Sequence, residues 1–333
     1  MKALIIGAAG MIGRKLAEKL YRNGQLNGQP LSELILADIA KPDAQLFEPL
    51  NTSVIVNAFA ADLTADKIAE QLVAHEPDII YHLAAIVSGE AEADFDKGYR
   101  INLDGTRTLL DAIRTRHGKT GYTPKLIFAS SLAVYGAPFP DSIEDEFHLT
   151  PLTSYGTQKA ISELLLADYT RRGFLHAVGL RLPTICIRPG LPNKAASGFF
   201  SNILREPING MTAILPVKDS VRHWFASPRA AVGFLVHASS LTNEQLGPRC
   251  NLTMPGLSAT VAEQIDALQR IAGNDALQFI QRVPDPAIHA IVANWPESFN
   301  AQRAAALGFT AESSFDEIIQ VYLEDDKPAP VTT

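Results

Sequence analysis

Cysteine is almost missing from this 333-residue chain, which has only Cys186 and Cys250. Two thiols cannot build a disulfide framework, and neither belongs to a zinc-ligand spacing. No metal site is expected, and both read as small buried hydrophobes in a reducing, cytoplasmic setting. Blocks of lysine and arginine are missing too. With a net charge of −7, the chain lacks the positive stripe that would hold a phosphate backbone or an anionic membrane. Nucleic acid and membrane surfaces are thereby excluded as partners. No apolar run reaches the ~20 residues that a bilayer crossing takes. The N-terminal MKALIIGAAGMIG is apolar but broken by glycines and continues into the amphipathic RKLAEKL, so it reads as a first strand and helix rather than a secretory leader.

What is present is alternation. The short apolar runs KALIIG, ELILAD, SVIVNAF, DIIYHLA, KLIFASS and AVGLRL are separated by helical stretches at 11–22, 64–75, 92–117 and 154–172. Uninterrupted apolar runs are what parallel strands buried on both faces look like. Alternated with helices, they predict an α/β fold, a Rossmann-type doubly wound parallel sheet. The rhythm breaks after residue 185, where RPGLPNKAASGFF is rich in Pro, Gly and Asn. The expected organisation is a nucleotide-binding domain over 1–185 with 221–250 returning to it. A smaller C-terminal substrate-binding lobe would come from 186–220 and 251–325, with a frayed tail at 326–333.

The first strand runs straight into Gly7, Gly10, Met11, Ile12 and Gly13 and then a helix, the context that a dinucleotide fingerprint requires. Glycines there permit a tight turn, close approach of backbone to a pyrophosphate and close packing of helix on strand. The helix N-terminus favours the anion. Asp38 ends the second strand candidate, where a carboxylate accepts from the adenosine ribose hydroxyls and repels a 2′-phosphate. This selects NAD, unless Asp38 only caps a strand end. Asp62, followed by Leu63, either accepts from the adenine amino group or N-caps the helix expected from Thr64. Ala84, at the end of the fourth strand, is small enough for a cofactor to lie against it. His82, inside that strand, reads as a packed core histidine.

TSYGTQKAISE, residues 153–163, sets Tyr155 and Lys159 one helical turn apart. A phenol with an ordinary pKa of about 10 is a poor base at neutral pH unless nearby positive charge stabilises the phenolate. Lys159 supplies that charge and can also hold the nicotinamide ribose through its ammonium donors. FASSLAVYG puts Ser130 and Ser131 at the C-terminal end of the fifth strand candidate, the edge where ligands of doubly wound sheets bind. A hydroxyl there bonds a substrate oxygen whose proton Tyr155 takes. The competing reading is a strand-end turn and a surface pair.

The glycine motif, SSLAVYG and YGTQK resemble the extended short-chain dehydrogenase/reductase family, as does the C-terminal FNAQRAAALGFTAESSFDEII. The resemblance implies a Ser131–Tyr155–Lys159 catalytic set, with Ser131 rather than Ser130 matching by its distance from VYG. It also places Asn102 and Pro183 near the cofactor. Nucleotide-sugar members usually carry an acidic stretch where this chain reads RHWFASPRAA. Dehydratases place an Asp-Glu pair where Leu132 and Ala133 stand, which disfavours elimination chemistry. The run from Arg181 to Met211 is similar to a group that oxidises a four-carbon hydroxy acid, D-erythronate, at C2 with NAD. The resemblance thus implies a small hydroxy-acid substrate and a homodimer. Arg222 lies where the family's phosphate-binding arginine is expected and would grip the carboxylate, with Arg188 as the rival anchor. Asn193 and Ser197 would bind the distal hydroxyls. A nucleotide-sugar 4-epimerase and a non-catalytic NAD-sensing regulator are the alternatives.

Overall fold

In the computed structural model, residues 1–43, 53–190 and 196–327 are described, and the chain divides into two units by contact density. The first takes the described residues of Met1–Val134, Pro151–Arg181 and Val232–Thr253. Its strands are β1 Lys2–Ile6, β2 Glu33–Asp38, β3 Ile55–Ala60, β4 Ile79–His82, β5 Lys125–Ser131, β6 His176–Leu182 and β7 Asn251–Thr253. They form one parallel sheet in the order β7-β6-β5-β4-β1-β2-β3. The order reverses at β1, which sets the topological switch point, and hence the ligand edge, at the C-terminal ends of β1 and β4.

All six strand candidates are realised, and β7 adds a seventh. The expectation of full burial fails at β3: Ile55 is 62 % exposed because this strand is the sheet edge, with a neighbour on one side only. The helices needed to cross between parallel strands are α1 Met11–Asn23, α2 Ile68–Ala74, α3 Gly105–Thr120 and α4 Ser154–Arg171. Two differ from the sequence pattern. The helix expected from Thr64 begins only at Ile68, because Lys67 before it takes a left-handed conformation at φ 63°. The helix expected over 92–117 is interrupted: short turns at Ser88–Ala93 and Phe95–Gly98 lead into a π-helical turn, Tyr99–Asp104, before α3. The core of this unit joins Leu4, Ile6, Ile35, Ile80, Phe128 and Leu166, and Cys250 lies in it.

The second unit takes the described residues of Tyr135–Thr150, Leu182–Ala231 and Met254–Thr333. Tyr135–Thr150 belongs here because Ile143 pairs in register with Phe299 and the Tyr135 ring packs on that of Phe299. Three small sheets, the largest formed by Thr184–Ile185, Arg222–Ala226 and Leu257–Thr260, surround a core of Ile187, Phe200, Ile203, Phe225, Leu268 and Ile318. Cys186 is fully buried in that core, and burial pushes its thiol up to about 12, so it behaves as a small hydrophobe. Of the tail expected to fray, residues 328–333 lie outside the described residues.

Candidate functional site

The glycine loop closes on itself tightly. Gly7 has φ +94°, and a Cβ there would stand 2.7 Å from the Ala84 amide nitrogen. A Cβ on Gly13 would stand 2.1 Å from the Gly7 carbonyl oxygen, so α1 packs directly on the loop. Gly10 caps α1 with no side-chain acceptor, and the first turn, which includes Met11 and Ile12, carries no acidic residue. The N–H groups and the positive end of the helix dipole are therefore left for an anion supplied from outside. Asp38 Oδ2 accepts from the Ala9 N–H at 2.9 Å, which fixes the carboxylate beside the loop. This cradle, bare helix end and adjacent carboxylate fit a dinucleotide.

Asp62 is exposed, and its Oδ1 accepts from the Thr64 N–H and hydroxyl, each at 2.8 Å. It closes a local turn and is not the cap of α2, which starts four residues later than expected. Leu63 is 7 % exposed and packs in the core, so its backbone is what it can offer a ligand. Asn102 is 1 % exposed, in the π-helical turn. Its Oδ1 accepts from the Ile86 N–H, and its amide donates to the Ile86 carbonyl and to Gln158 Oε1. Asn102 thus fastens the loop that follows β4 to α4.

Thr153 caps α4, its hydroxyl accepting from the Gly156 N–H at 3.0 Å. Tyr155 therefore sits in the first turn and Lys159 in the second. A Cβ on Gly156 would stand 2.0 Å from the Ala133 carbonyl oxygen. Only glycine lets α4 rest on the 3₁₀ turn Leu132–Val134 that follows Ser131, and this contact brings the serine and tyrosine elements together. Ser131 and Tyr155 are half-buried, and Ser131 Oγ accepts from the Ala133 N–H.

Lys159 is no surface residue: it is 1 % exposed. Its Nζ donates to the Ala129 carbonyl at 2.8 Å and stands 4.6 Å from the Phe128 ring centre and 5.7 Å from that of Tyr155. Burial pulls Lys159 down to about 7, with the Glu163 carboxylate acting against that pull. A cation held behind a phenol can support a phenolate. His82 is buried and pushed down to about 3, first by burial and then by the charge of Lys159, so it is a neutral core histidine.

In the second unit, Arg188 donates through Nε to the Ile185 carbonyl and through Nη2 to Ser197 Oγ at 3.0 Å. Arg222 donates to the Ser258 carbonyl and hydroxyl and pairs with Glu263 at 3.4 Å. Pro183 is buried one residue beyond β6. Asn193 lies outside the described residues. Sequence reasoning missed Gly156, Gln158, Glu163 and Arg181. The available signal was Glu163 standing four residues after Lys159 in an apolar helical run, a charge that such a face does not tolerate without a partner.

The description NAD dependent epimerase/dehydratase family matches residues 3–227. The chain is 45 % identical over 329 residues to a D-erythronate dehydrogenase of Cupriavidus necator, covering 98 % of each. It is 40 % identical over 326 residues to a D-erythronate dehydrogenase of Haemophilus influenzae, covering 98 % of this chain and 100 % of that one. A crystal structure named as a nucleoside-diphosphate-sugar epimerase from Agrobacterium tumefaciens superposes with a TM-score of 0.94 at 62 % identity, over 98 % of this chain and 94 % of that one. With the glycine cradle and the buried lysine behind a tyrosine, these matches identify an oxidoreductase of the short-chain dehydrogenase/reductase type with NAD as its cofactor, and the chain belongs to the NAD dependent epimerase/dehydratase family.

Proposed function

We propose that the protein oxidises the C2 hydroxyl of a small polyhydroxy acid, D-erythronate or a near relative, to the 2-keto acid. The observation that carries the substrate class is near-full-length identity to two proteins named for that acid. The chemistry follows from the first unit. Ser131 holds the substrate oxygen, Tyr155 as phenolate takes the hydroxyl proton, and the C2–O bond becomes a carbonyl as the C2 hydrogen leaves with its electron pair. When bound, NAD accepts that hydride. Lys159 stabilises the phenolate through a low-dielectric environment in which its charge acts strongly. Gly7, Gly10, Met11, Ile12 and Gly13 hold the pyrophosphate, Asp38 the adenosine ribose, Lys159 the nicotinamide ribose, and Asp62, Leu63, Ala84, Asn102 and Pro183 complete the cofactor's surroundings.

The carboxylate is assigned to an arginine, Arg188 or Arg222. Arg188 is oriented by Ser197 and the Ile185 carbonyl, and Arg222 by Ser258 and Glu263. Ser197 thus acts through Arg188, and Asn193, outside the described residues, is assigned to the distal hydroxyls. The enzyme works in the cytoplasm as a homodimer, and a second copy would cover apolar side chains such as Leu164 on α4, 67 % exposed. The rival reading, a nucleotide-sugar 4-epimerase, is favoured by the name of the 62 % identical structure. An assay of NADH formation across C4 to C6 aldonic acids separates the two. A dehydrogenase accumulates NADH with one of these acids, whereas an epimerase returns the hydride and accumulates none. With the active acid, Arg188→Lys is expected to raise KM more than Arg222→Lys, because lysine keeps the charge and loses the paired geometry. The reverse order assigns the carboxylate to Arg222.

A further inference from the structure

β5 ends in three consecutive residues with three different tasks. The Ala129 carbonyl accepts from Lys159, the Ser130 hydroxyl donates to Glu163 Oε1 at 2.5 Å, and Ser131 begins the turn on which Gly156 rests. Successive strand side chains point to opposite faces, so Ser130 cannot share the role of Ser131. Glu163 stands one helical turn beyond Lys159 and is 1 % exposed. Arg181 of β6 clamps both carboxylate oxygens, with Nε 3.1 Å from each and Nη2 2.7 Å from Oε2. One carboxylate therefore pins β5, α4 and β6 together behind the Tyr155–Lys159 pair. A buried ion pair of this kind adds little stability over apolar side chains of similar size, so stability is a weak account of it.

We propose that Glu163 is a positioning residue for the oxidation: its carboxylate fixes the Lys159 helix against the Ser131 strand, and its charge holds the Lys159 ammonium in place in a site too buried to keep a cation alone. The inference rests on the reading of Tyr155 and Lys159 as the reacting pair. The titratable and charged groups around Lys159 are His82 on β4, which burial keeps neutral, Tyr155 and Glu163 on α4, and behind Glu163 the guanidinium of Arg181. Burial draws Lys159 down to about 7 even with Glu163 opposing it. Without that carboxylate, the ammonium gives up its proton at lower pH and the phenolate loses its support at neutrality.

The test is a titration of the cofactor-free protein carrying lysine labelled at Cε, with the Lys159 signal assigned by its loss in Lys159→Met. Glu163→Gln keeps an acceptor for Ser130 and removes the charge. It is expected to lower the Lys159 midpoint by about one pH unit or more, the usual effect of an opposite charge at this range. The same variant should lower kcat at pH 7 several-fold with KM nearly unchanged. The double variant Glu163→Met with Arg181→Met leaves neither charge unpaired and carries the same titration if the single variant does not fold. An unchanged Lys159 midpoint in either folded variant overturns the proposal. The titration uses no substrate, so a shifted midpoint in a protein that oxidises no aldonic acid would sink the substrate reading and leave the Glu163 assignment standing.

Discussion

Two buried histidines, one in each unit, are held in opposite ways. His82, in the first unit, has Nε2 2.9 Å from the Thr106 hydroxyl, whose single proton goes to the Asn102 carbonyl. The ring must therefore donate from Nε2, and its Nδ1 is left with no hydrogen-bond partner among the described residues. His223, in the second unit, has Nδ1 3.0 Å from the Pro296 carbonyl, which can only accept, so Nδ1 carries the proton and Nε2 accepts from Thr184 at 2.7 Å. One ring has a bare nitrogen in the unit that carries the Tyr155–Lys159 pair. The other is satisfied at both ends, stacked on Phe200 and edge-on to Phe225. His82 keeps an unused acceptor, and His223 spends both of its nitrogens.

Tyr155→Phe keeps the ring and its packing and removes the proton acceptor. It should cost roughly 10²–10⁴ in kcat, the usual worth of acid–base catalysis, while NAD affinity measured by NADH fluorescence stays within a few-fold. More than about a tenth of kcat remaining would mean that the chemistry does not belong to this tyrosine. A smaller effect is expected at the other end of the cofactor. Asp38 is fixed by the Ala9 amide, and Asp38→Ser removes the charge that repels a 2′-phosphate. The ratio of NAD to NADP efficiency should fall by about tenfold, the worth of one charge-assisted hydrogen bond. A ratio that does not move would reduce Asp38 to a cap on the glycine loop.

Legibility followed local regularity. The strands of the first unit could be read because parallel strands are apolar without interruption, and the glycines because the steric demand at Gly7 and Gly13 admits nothing else. The Tyr155–Lys159 spacing is a property of one helix and was equally plain. What the sequence pattern hid depends on distant partners. The place of Glu163 in an apolar run asks for a partner but does not name it, and Arg181 and Ser130 come from two different strands. Of the two readings of Asp62, adenine acceptor or helix cap, the cap fails because of the left-handed turn at Lys67, which nothing in its neighbours announces. Arg222 was chosen by its place in the chain, and the Glu263 carboxylate beside it comes from a helix 41 residues on. In the second unit, strands of two to five residues carry too little periodicity to be told from loops.

The histidines supply the smallest effect and the most specific one. Burial holds His82 at about 3 and His223 at about 4, against about 6.5 for an exposed imidazole. Between those values the unfolded chain binds protons that the folded protein does not, so each ring contributes stability that is complete above pH 6.5 and is lost as pH falls below it. At pH 6 the loss is about 0.8 kcal/mol per histidine. Replacements that copy each ring's donor without the titration should flatten this slope, and the two rings call for different ones. His82→Gln places its amide where Nε2 donates, and His223→Asn places its amide where Nδ1 donates. Urea midpoints from pH 7.5 to 5.5 should fall less steeply in each matched variant than in the wild type. The exchanged pair, His82→Asn and His223→Gln, should be weaker at every pH because each leaves a buried acceptor unpaired. A wild-type slope retained in a matched variant would show that the ring it replaces binds its proton as readily in the folded protein as in the unfolded chain, and the contrast between the two histidines would fail at that ring.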